Sequence, residues 1–195
     1  TLITNYTRES GLRGLEKQIA SVCRKLARQH AEAEDDAIIK GVKLTPQLVQ
    51  KHLGAKRFDD ECDHLEATVG VALGLAYTSY GGEVLPIETN LLPGSRNKLV
   101  LTGKLGDVMK ESAQAALSYI RSRGAAFGID PEHIASHELH VHFPAGAVPK
   151  DGPSAGIAIA TSMISSLLGR PPADKTAMTG EITLHGKVLP IGGLK

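Results

Sequence analysis

The chain lacks the features that would assign it to several broad classes of protein. Its 195 residues include only two cysteines, Cys23 and Cys62, which lie far apart and in no metal-ligand spacing. No apolar run reaches membrane-spanning length, and the N-terminus shows no signal-peptide pattern. These absences predict a protein of a reducing compartment, with the cytosol as the default, and favour no metal site.

The chain also has no large excess of positive or of negative charge. The chain carries 22 basic and 21 acidic residues, so it has no basic surface typical of a dedicated nucleic-acid binder. It contains no G-x-x-x-x-G-K-[ST] loop to hold phosphates, and no repeat or low-complexity segment. The 42% hydrophobic composition is nevertheless sufficient for a buried core, and the length predicts one full domain plus part of another.

The first region, residues 1–56, is predicted to be a small helical subdomain. Thr45-Pro46 is a typical helix start, with a cap and a proline at the first position, and Gly54 closes that helix. Ile38, Ile39 and Val42 suggest a short strand before it. An earlier helix, capped by Ser10, has apolar residues recurring every three or four positions, namely Leu12, Leu15, Ile19, Val22 and Leu26.

An acidic, weakly patterned stretch, residues 57–67, is predicted to be a linker to an α+β region at 68–195. In that region Gly81-Gly82 is expected to form a hairpin turn, and Gly124 to end a helix. The predicted strands are 69–76, 84–88, 98–102 and 139–143, and the helix at 105–124 has its periodic residues at Val108, Met109, Ser112, Ala116, Leu117 and Ile120.

The octapeptide P-K-D-G-P-S-A-G, residues 149–156, is the most informative motif. Its glycines and prolines impose an unusual backbone path, and Ser154 lies where a helix is expected to begin. Unpaired N–H groups at a helix start can stabilise an oxyanion, so Ser154 can be a nucleophile. Serine is equally a favoured helix cap. The local pattern leaves both interpretations open.

Three other patterns have competing explanations. G-P-S-A-G formally matches a G-x-S-x-G nucleophile elbow, with Asp174 and His185 in the right order, but only 31 residues separate Ser154 from His185. The alternating pattern places His140 and His142 on one face of a strand. They can serve as a metal pair, as a base or simply as the polar face of the strand, and the polar face is favoured. Asp151 can assist the nucleophile or organise the turn, and the turn is slightly favoured.

The C-terminal segment, residues 177–195, is predicted to be a β-hairpin with its turn at His185-Gly186, ending before a helix. Together, the octapeptide and M-T-G-E-I-T-L-H-G-K-V-L-P-I-G-G-L-K closely resemble the proteolytic domain of Lon, an ATP-dependent serine protease of the AAA+ class. Residues 105–112 and 140–144 are similar to internal stretches of that domain. Residues 5–16 look like the family's helical ATPase lid, so the resemblance covers about residues 3–195.

The resemblance implies a Lon-type proteolytic domain after a helical AAA+ lid, and a Ser–Lys dyad with Ser154 as the nucleophile. Thr179 would hydrogen-bond the lysine amine, and Glu181 is a further candidate near the site. The family's catalytic lysine is the second in G-G-x-K-x-K, whereas this chain stops at the first, Lys195. Residues two apart on a helix point to different faces. The chain as given is therefore expected to hydrolyse peptides poorly or not at all.

The resemblance also implies partners and a cofactor. Arg13 occupies the position of the sensor-2 arginine, which would reach the γ-phosphate of ATP bound with Mg²⁺ by residues preceding Thr1. A solvated arginine on an amphipathic helix is the alternative. The expected substrates are unfolded or damaged polypeptides, and the expected assembly is a hexameric ring. No membrane association is expected. Binding to nucleic acid stays possible, but the sequence shows no site for it. The short loop 92–98 favours a bacterial cytoplasm over a mitochondrial matrix. A non-proteolytic Lon-like assembly module is the second hypothesis.

Overall fold

The structure is a computed structural model that describes residues 1–32, 42–58, 66–78, 81–94 and 97–192. The chain divides into two compact units. A helical unit comprises Thr1–His64 with Ser79–Gly81, and a second unit comprises Leu65–Thr78 with Gly82–Lys195. Most of the predicted linker and part of the strand predicted at 38–42 lie outside the described residues. Val42 itself is described and is in no strand.

The helical unit contains helices α1 (Leu2–Tyr6), α2 (Arg13–Glu32) and α3 (Pro46–Leu53). The predicted bounds of α3 are confirmed: the Thr45 hydroxyl accepts a hydrogen bond from the Leu48 N–H, and Gly54 closes the helix with a φ of 86°. Glycine suits that closing position because a side chain there would be strained. α3 packs on α2, and the Tyr6 hydroxyl donates to the Gly54 carbonyl at 2.8 Å.

The start of α2 differs from the prediction. Glu9, rather than Ser10, satisfies the free N–H groups, because its carboxylate accepts from Gly14 N and Leu15 N at 2.7 and 2.8 Å. A carboxylate at a helix N-terminus also interacts favourably with the helix dipole. The predicted apolar face is only partly covered, since Val22 is buried whereas Leu12 and Ile19 are exposed.

The second unit is a mixed α/β domain, as predicted. Its central sheet has the strand order β3-β4-β2-β1-β5, and a separate pair, β6-β7, forms a small hairpin. The elements are β1 (Val71–Thr78), β2 (Gly81–Pro93), β3 (Leu99–Thr102), α4 (Asp107–Arg123), α5 (Pro131–Ala135), β4 (His137–His142), α6 (Gly156–Leu168), β5 (Ala177–Met178), β6 (Glu181–Ile182) and β7 (Val188–Leu189).

The sheet register places the polar residues of β4 opposite those of its neighbours. β4 runs antiparallel to β2, with Glu88 opposite His142, and parallel to β3, with Thr102 opposite His142. β5 pairs in parallel with β1 through Leu73 and Ala177. Helix α6 packs on α4, β1 and β4, so the core lies between these helices and the sheet. No described helix is long and apolar enough to cross a membrane.

One glycine prediction was wrong and another was confirmed. Gly81 and Gly82 lie in β2 rather than in a turn, because that strand begins earlier and is longer than its apolar residues suggest. Gly124 follows the last residue of α4, Arg123, as predicted, and begins a 3-10 turn, Gly124–Phe127, with right-handed helical angles. Gly128 ends that turn with a left-handed φ of 77°. Gly128 is therefore the residue whose conformation requires glycine.

Candidate active site

Ser154 lies in a 3-10 turn, Pro153–Ala155, which leads directly into α6. No side chain caps either the turn or the helix. The hydroxyl of Ser154 therefore does not do what a cap would do, which is to accept a hydrogen bond from the following N–H groups. Gly152 precedes the turn with a φ of 124°, a conformation that residues with side chains rarely adopt. The backbone path predicted from the octapeptide is thus present.

The segment before Ser154 is tied to the start of α4. Lys150 forms an isolated parallel bridge with Leu105, and its carbonyl accepts from Gly106 N at 2.7 Å. The next residue, Asp151, accepts from Met109 N at 3.0 Å and from Gly152 N at 2.9 Å. Asp151 therefore organises the turn and also caps a helix far from it in sequence.

The turn itself is held from two sides. The Pro153 carbonyl accepts a hydrogen bond from the Ser112 hydroxyl of α4 at 3.3 Å. The Ser154 carbonyl accepts from Gly180 N at 2.7 Å and from the Thr179 hydroxyl at 3.3 Å. The Ile157 N–H in turn donates to the Gly180 carbonyl at 3.1 Å. These contacts join α4, the octapeptide and the segment between β5 and β6 at the proposed nucleophile.

The Ser154 hydroxyl makes no hydrogen bond to the part of the chain that the structure describes, and the residue is half-buried. The backbone of Ser154 is thus fixed, while its hydroxyl is left available to a substrate and to a base. Thr179 contacts Ser154 through the Ser154 carbonyl, and its expected bond to a lysine amine stays a prediction. Glu181 follows in β6 and is also half-buried.

Lys150 is the described lysine closest in sequence to Ser154. Its amine donates to the carbonyls of Ala145 and Val148 at 2.9 and 3.1 Å. Burial lowers its pKa from the usual lysine value, because removal from water disfavours the charged form. Ala145 has a φ of 58°, which is uncommon for a residue with a side chain. Lys150 thus closes the loop that precedes the octapeptide.

The two histidines of β4 share one partner. The Thr102 hydroxyl lies 2.9 Å from His140 Nε2 and 2.7 Å from His142 Nδ1. Both rings are therefore on one face of the sheet, as the alternating pattern predicts, and both are half-buried. Among the described residues, no group of three or more His, Cys, Asp or Glu side chains could hold a metal ion.

The alternative triad is not assembled. Asp174 is exposed and accepts from the N–H of Lys175, and His185 is exposed in the turn between β6 and β7. Neither forms a hydrogen bond with Ser154 among the described residues. The chain also enters Ser154 from a loop and a 3-10 turn, whereas the G-x-S-x-G elbow needs a strand running into the serine.

Two other residues of interest lie away from this site. Arg13, the sensor-2 candidate, is the first residue of α2 and is exposed, with no hydrogen bond or ion pair among the described residues. Lys195 lies outside the residues that the structure describes. Ser112 was not predicted as a site residue, although its position on the apolar face of α4, beside buried Met109, Ala113 and Ala116, is a signal that could have identified it.

Comparison with known families defines the class of both regions. Residues 43–195 match the Lon protease (S16) C-terminal proteolytic domain, and residues 1–39 match the Lon protease AAA+ ATPase lid domain. The chain is therefore a proteolytic domain that follows an ATPase lid. It belongs to the Lon protease family.

Individual relatives are similar in sequence to this chain along its whole length. It is 57% identical to a Lon protease of Trichlorobacter lovleyi over 196 residues, and 52% identical to Lon protease 1 of Syntrophobacter fumaroxidans over 194 residues. Lon protease 1 of Bacillus subtilis is 51% identical over 194 residues. All of this chain is covered in each case, but only 23–24% of each relative. The chain thus spans about a quarter of the length of these curated relatives.

Proposed function

We propose that this chain is part of an ATP-dependent serine endopeptidase that degrades unfolded or damaged polypeptides, with Ser154 as its nucleophile. The observation that carries the proposal is the Ser154 turn: the Ser154 carbonyl accepts from Gly180 N and from the Thr179 hydroxyl, while the Ser154 hydroxyl bonds to none of the described residues. The lid is assigned to residues 1–56 and the proteolytic domain to 68–195. This boundary keeps α3 with the helix on which it packs, although the proteolytic family model begins at residue 43.

The reaction follows from a hydroxyl nucleophile with an amine base. The Ser154 Oγ bonds to the scissile carbonyl carbon while its proton passes to a lysine amine, giving a tetrahedral oxyanion. The carbon–nitrogen bond then breaks as the lysine ammonium protonates the leaving amine. Water repeats these steps on the ester and releases the second product. Backbone N–H groups of the turn stabilise both oxyanions.

The base is a lysine that the family resemblance places two positions beyond Lys195. Lys150 is a poor substitute because its amine is already held by the carbonyls of Ala145 and Val148. Thr179 contacts the Ser154 carbonyl and would hold the lysine amine towards the nucleophile. Asp151, Glu181, His140 and His142 remain supporting candidates, with Asp151 acting through the turn and through α4.

The decisive test is Ser154→Ala in a chain of the relatives' full length. Peptidase turnover on an unfolded protein should fall by roughly 10³-fold or more, and labelling by a fluorophosphonate should be lost. Ser118→Ala is a matched control, since Ser118 is an exposed serine of α4 that bonds only to the Gln114 carbonyl. Turnover by Ser154→Ala close to that of the unchanged protein would overturn the proposal. A full-length chain that assembles but shows neither turnover nor labelling would instead favour a non-proteolytic assembly module.

The ATPase role rests on Arg13. This exposed arginine begins the lid helix α2, and its cation is suited to contact the γ-phosphate of ATP bound with Mg²⁺ by a preceding ATPase core. Arg13→Ala in the full-length chain should reduce ATP turnover about tenfold or more, while Arg28→Ala, whose side chain pairs with Glu32, should not. Equal ATP turnover in the two variants would refute the assignment.

The remaining partners follow from the same proposal. The intact protein is expected to form a hexameric ring in a bacterial cytoplasm. Its substrates would be polypeptides without stable structure, which can reach Ser154 as extended chains. Substrate strands could pair with an edge of the proteolytic domain, since extended peptides add readily to exposed strands. β4 lies between β3 and β2 and offers no free edge, so His140 and His142 would line the approach to the site through their side chains alone.

A further inference from the structure

The Pro153 carbonyl accepts two hydrogen bonds, and both fix its direction. One comes from Gly156 N, within the 3-10 turn, and the other from the Ser112 hydroxyl on α4 at 3.3 Å. A carbonyl oxygen has two lone pairs, so this acceptor is saturated. The peptide unit that Pro153 shares with Ser154 is therefore oriented through this carbonyl.

The direction of the Pro153 carbonyl determines that of the next N–H. In a planar trans peptide the carbonyl and the N–H of the following residue point in opposite directions. Because the Pro153 carbonyl points to α4, the Ser154 N–H points away from α4. That N–H has no hydrogen-bond acceptor within the described ranges. It is therefore available to a ligand beside the Ser154 hydroxyl.

We propose that Ser112 is a positioning residue that orients the Ser154 N–H towards the oxyanion formed during peptide hydrolysis. The inference rests on the proposed function, because it needs Ser154 to be the nucleophile. The Ser112 hydroxyl donates to the Pro153 carbonyl and not to the Ser154 hydroxyl. It acts by holding the Pro153–Ser154 peptide plane in the orientation in which the Ser154 N–H donates to the oxyanion.

The surroundings of Ser112 are adapted to this contact. Ser112 is only 7% exposed, and a Cβ at Gly156 would lie 2.9 Å from its hydroxyl oxygen. The absence of a side chain at residue 156 therefore leaves room for the hydroxyl. A serine inside a helix commonly bonds to the carbonyl four residues earlier, as Ser118 does with Gln114. Ser112 instead bonds to a carbonyl 41 residues away.

The test compares three variants in the full-length chain. Ser112→Ala removes the hydroxyl, whereas Ser112→Cys keeps a side chain of similar size that is a weak donor. Ser162→Ala is the matched control, because Ser162 is a fully buried serine of α6 whose hydroxyl bonds to Thr89 and Ile159. Each variant is measured for kcat and KM on a peptide, for affinity towards a peptide boronate that forms a tetrahedral adduct on serine, and for Tm.

Both Ser112 variants should lower kcat and boronate affinity by about 10- to 100-fold, somewhat less than deletion of an oxyanion donor. Their KM should stay within about twofold. Ser162→Ala should lower Tm without changing kcat. Ser112→Cys with normal kcat beside a defective Ser112→Ala would show a packing role and overturn the inference. Normal kcat and boronate affinity in Ser112→Ala would also overturn it, and if Ser154→Ala were inactive in that experiment the proposed function would still stand.

Discussion

The helical unit and the second unit, Leu65–Thr78 with Gly82–Lys195, differ in how they cover their apolar residues. The second unit is called the proteolytic unit below. In the proteolytic unit, the buried side chains of α4, α6 and the sheet form one cluster that includes Ile120, Phe143 and Ile159. In the helical unit, Tyr6, Val22 and Val49 are buried, whereas Leu12 and Ile19 of the same region are exposed to 72% and 45%. Helix caps and a few contacts therefore contribute a larger share of the stability of the helical unit.

The two units also differ in how they satisfy buried polar groups. In the proteolytic unit, the buried hydroxyls of Ser162 and Thr89 bond to each other at 2.8 Å, and the Ser165 hydroxyl accepts from Gly70 N at 2.8 Å. Within the described part of the helical unit, the Nε2 atom of buried His52 has no hydrogen-bond partner. An unpaired buried polar atom costs free energy. The comparison therefore indicates that the proteolytic unit is the more completely packed scaffold.

The largest effect is expected from Phe143→Ala. Phe143 is fully buried. Its truncation to alanine should therefore lower the free energy of unfolding of the sheet by about 3–5 kcal/mol. Val22→Ala in the helical unit should cost about 1.5–2 kcal/mol, because it removes fewer buried carbons. Native-state amide exchange measures both, region by region, and Leu184→Ala, at an exposed site, is the control. Equal losses for Phe143→Ala and Val22→Ala would break the comparison.

A smaller effect, confined to the proteolytic unit, is expected from Gly106→Ala. A Cβ at this position would lie 2.2 Å from the Asp151 Cγ, so the carboxylate must leave the N-terminus of α4. The predicted cost is about 1–3 kcal/mol, with lower peptidase turnover in the full-length chain. Gly82→Ala meets no atom within 4 Å and should be neutral or slightly stabilising. If urea denaturation showed Gly106→Ala to be as stable as Gly82→Ala, the Asp151 contact would not matter.

The smallest effect is expected from Thr45→Ala in the helical unit. The variant loses the hydrogen bond between the Thr45 hydroxyl and Leu48 N, at a cost of about 1 kcal/mol. The amides of α3 should exchange faster by the corresponding factor, while those of α4 and α6 keep their protection. Thr45→Ser retains a capping hydroxyl and should behave like the unchanged chain. Unaltered exchange in α3 would show that packing, rather than the cap, holds this helix.

Elements with local signals could be predicted from the sequence. The bounds of α3 follow from Thr45-Pro46 and Gly54, because caps and proline act within a few residues. The alternation in β4 correctly placed His140 and His142 on one face. The prolines and glycines around Ser154 predicted an unusual backbone path before a helix, and the structure has a 3-10 turn there.

Long-range contacts were beyond prediction. Asp151 caps α4 through Met109, 42 residues away, and no local pattern marks that pairing. Gly81 and Gly82 were misassigned because a hydrogen-bonded neighbour can keep glycine in a strand. At α2, nearby Glu9 displaced Ser10 because its longer side chain reaches two N–H groups at once.

The family of the chain and the serine proposed as its nucleophile can both be recognised without coordinates, since contiguous motifs carry them. The contacts that hold that serine, in contrast, depend on folding. Ser112 and Thr179 lie far from residue 154 in the chain, and folding brings them to two successive carbonyls. The physical reason is that a motif sets local backbone geometry, whereas the direction of a peptide plane depends on the partners that packing supplies.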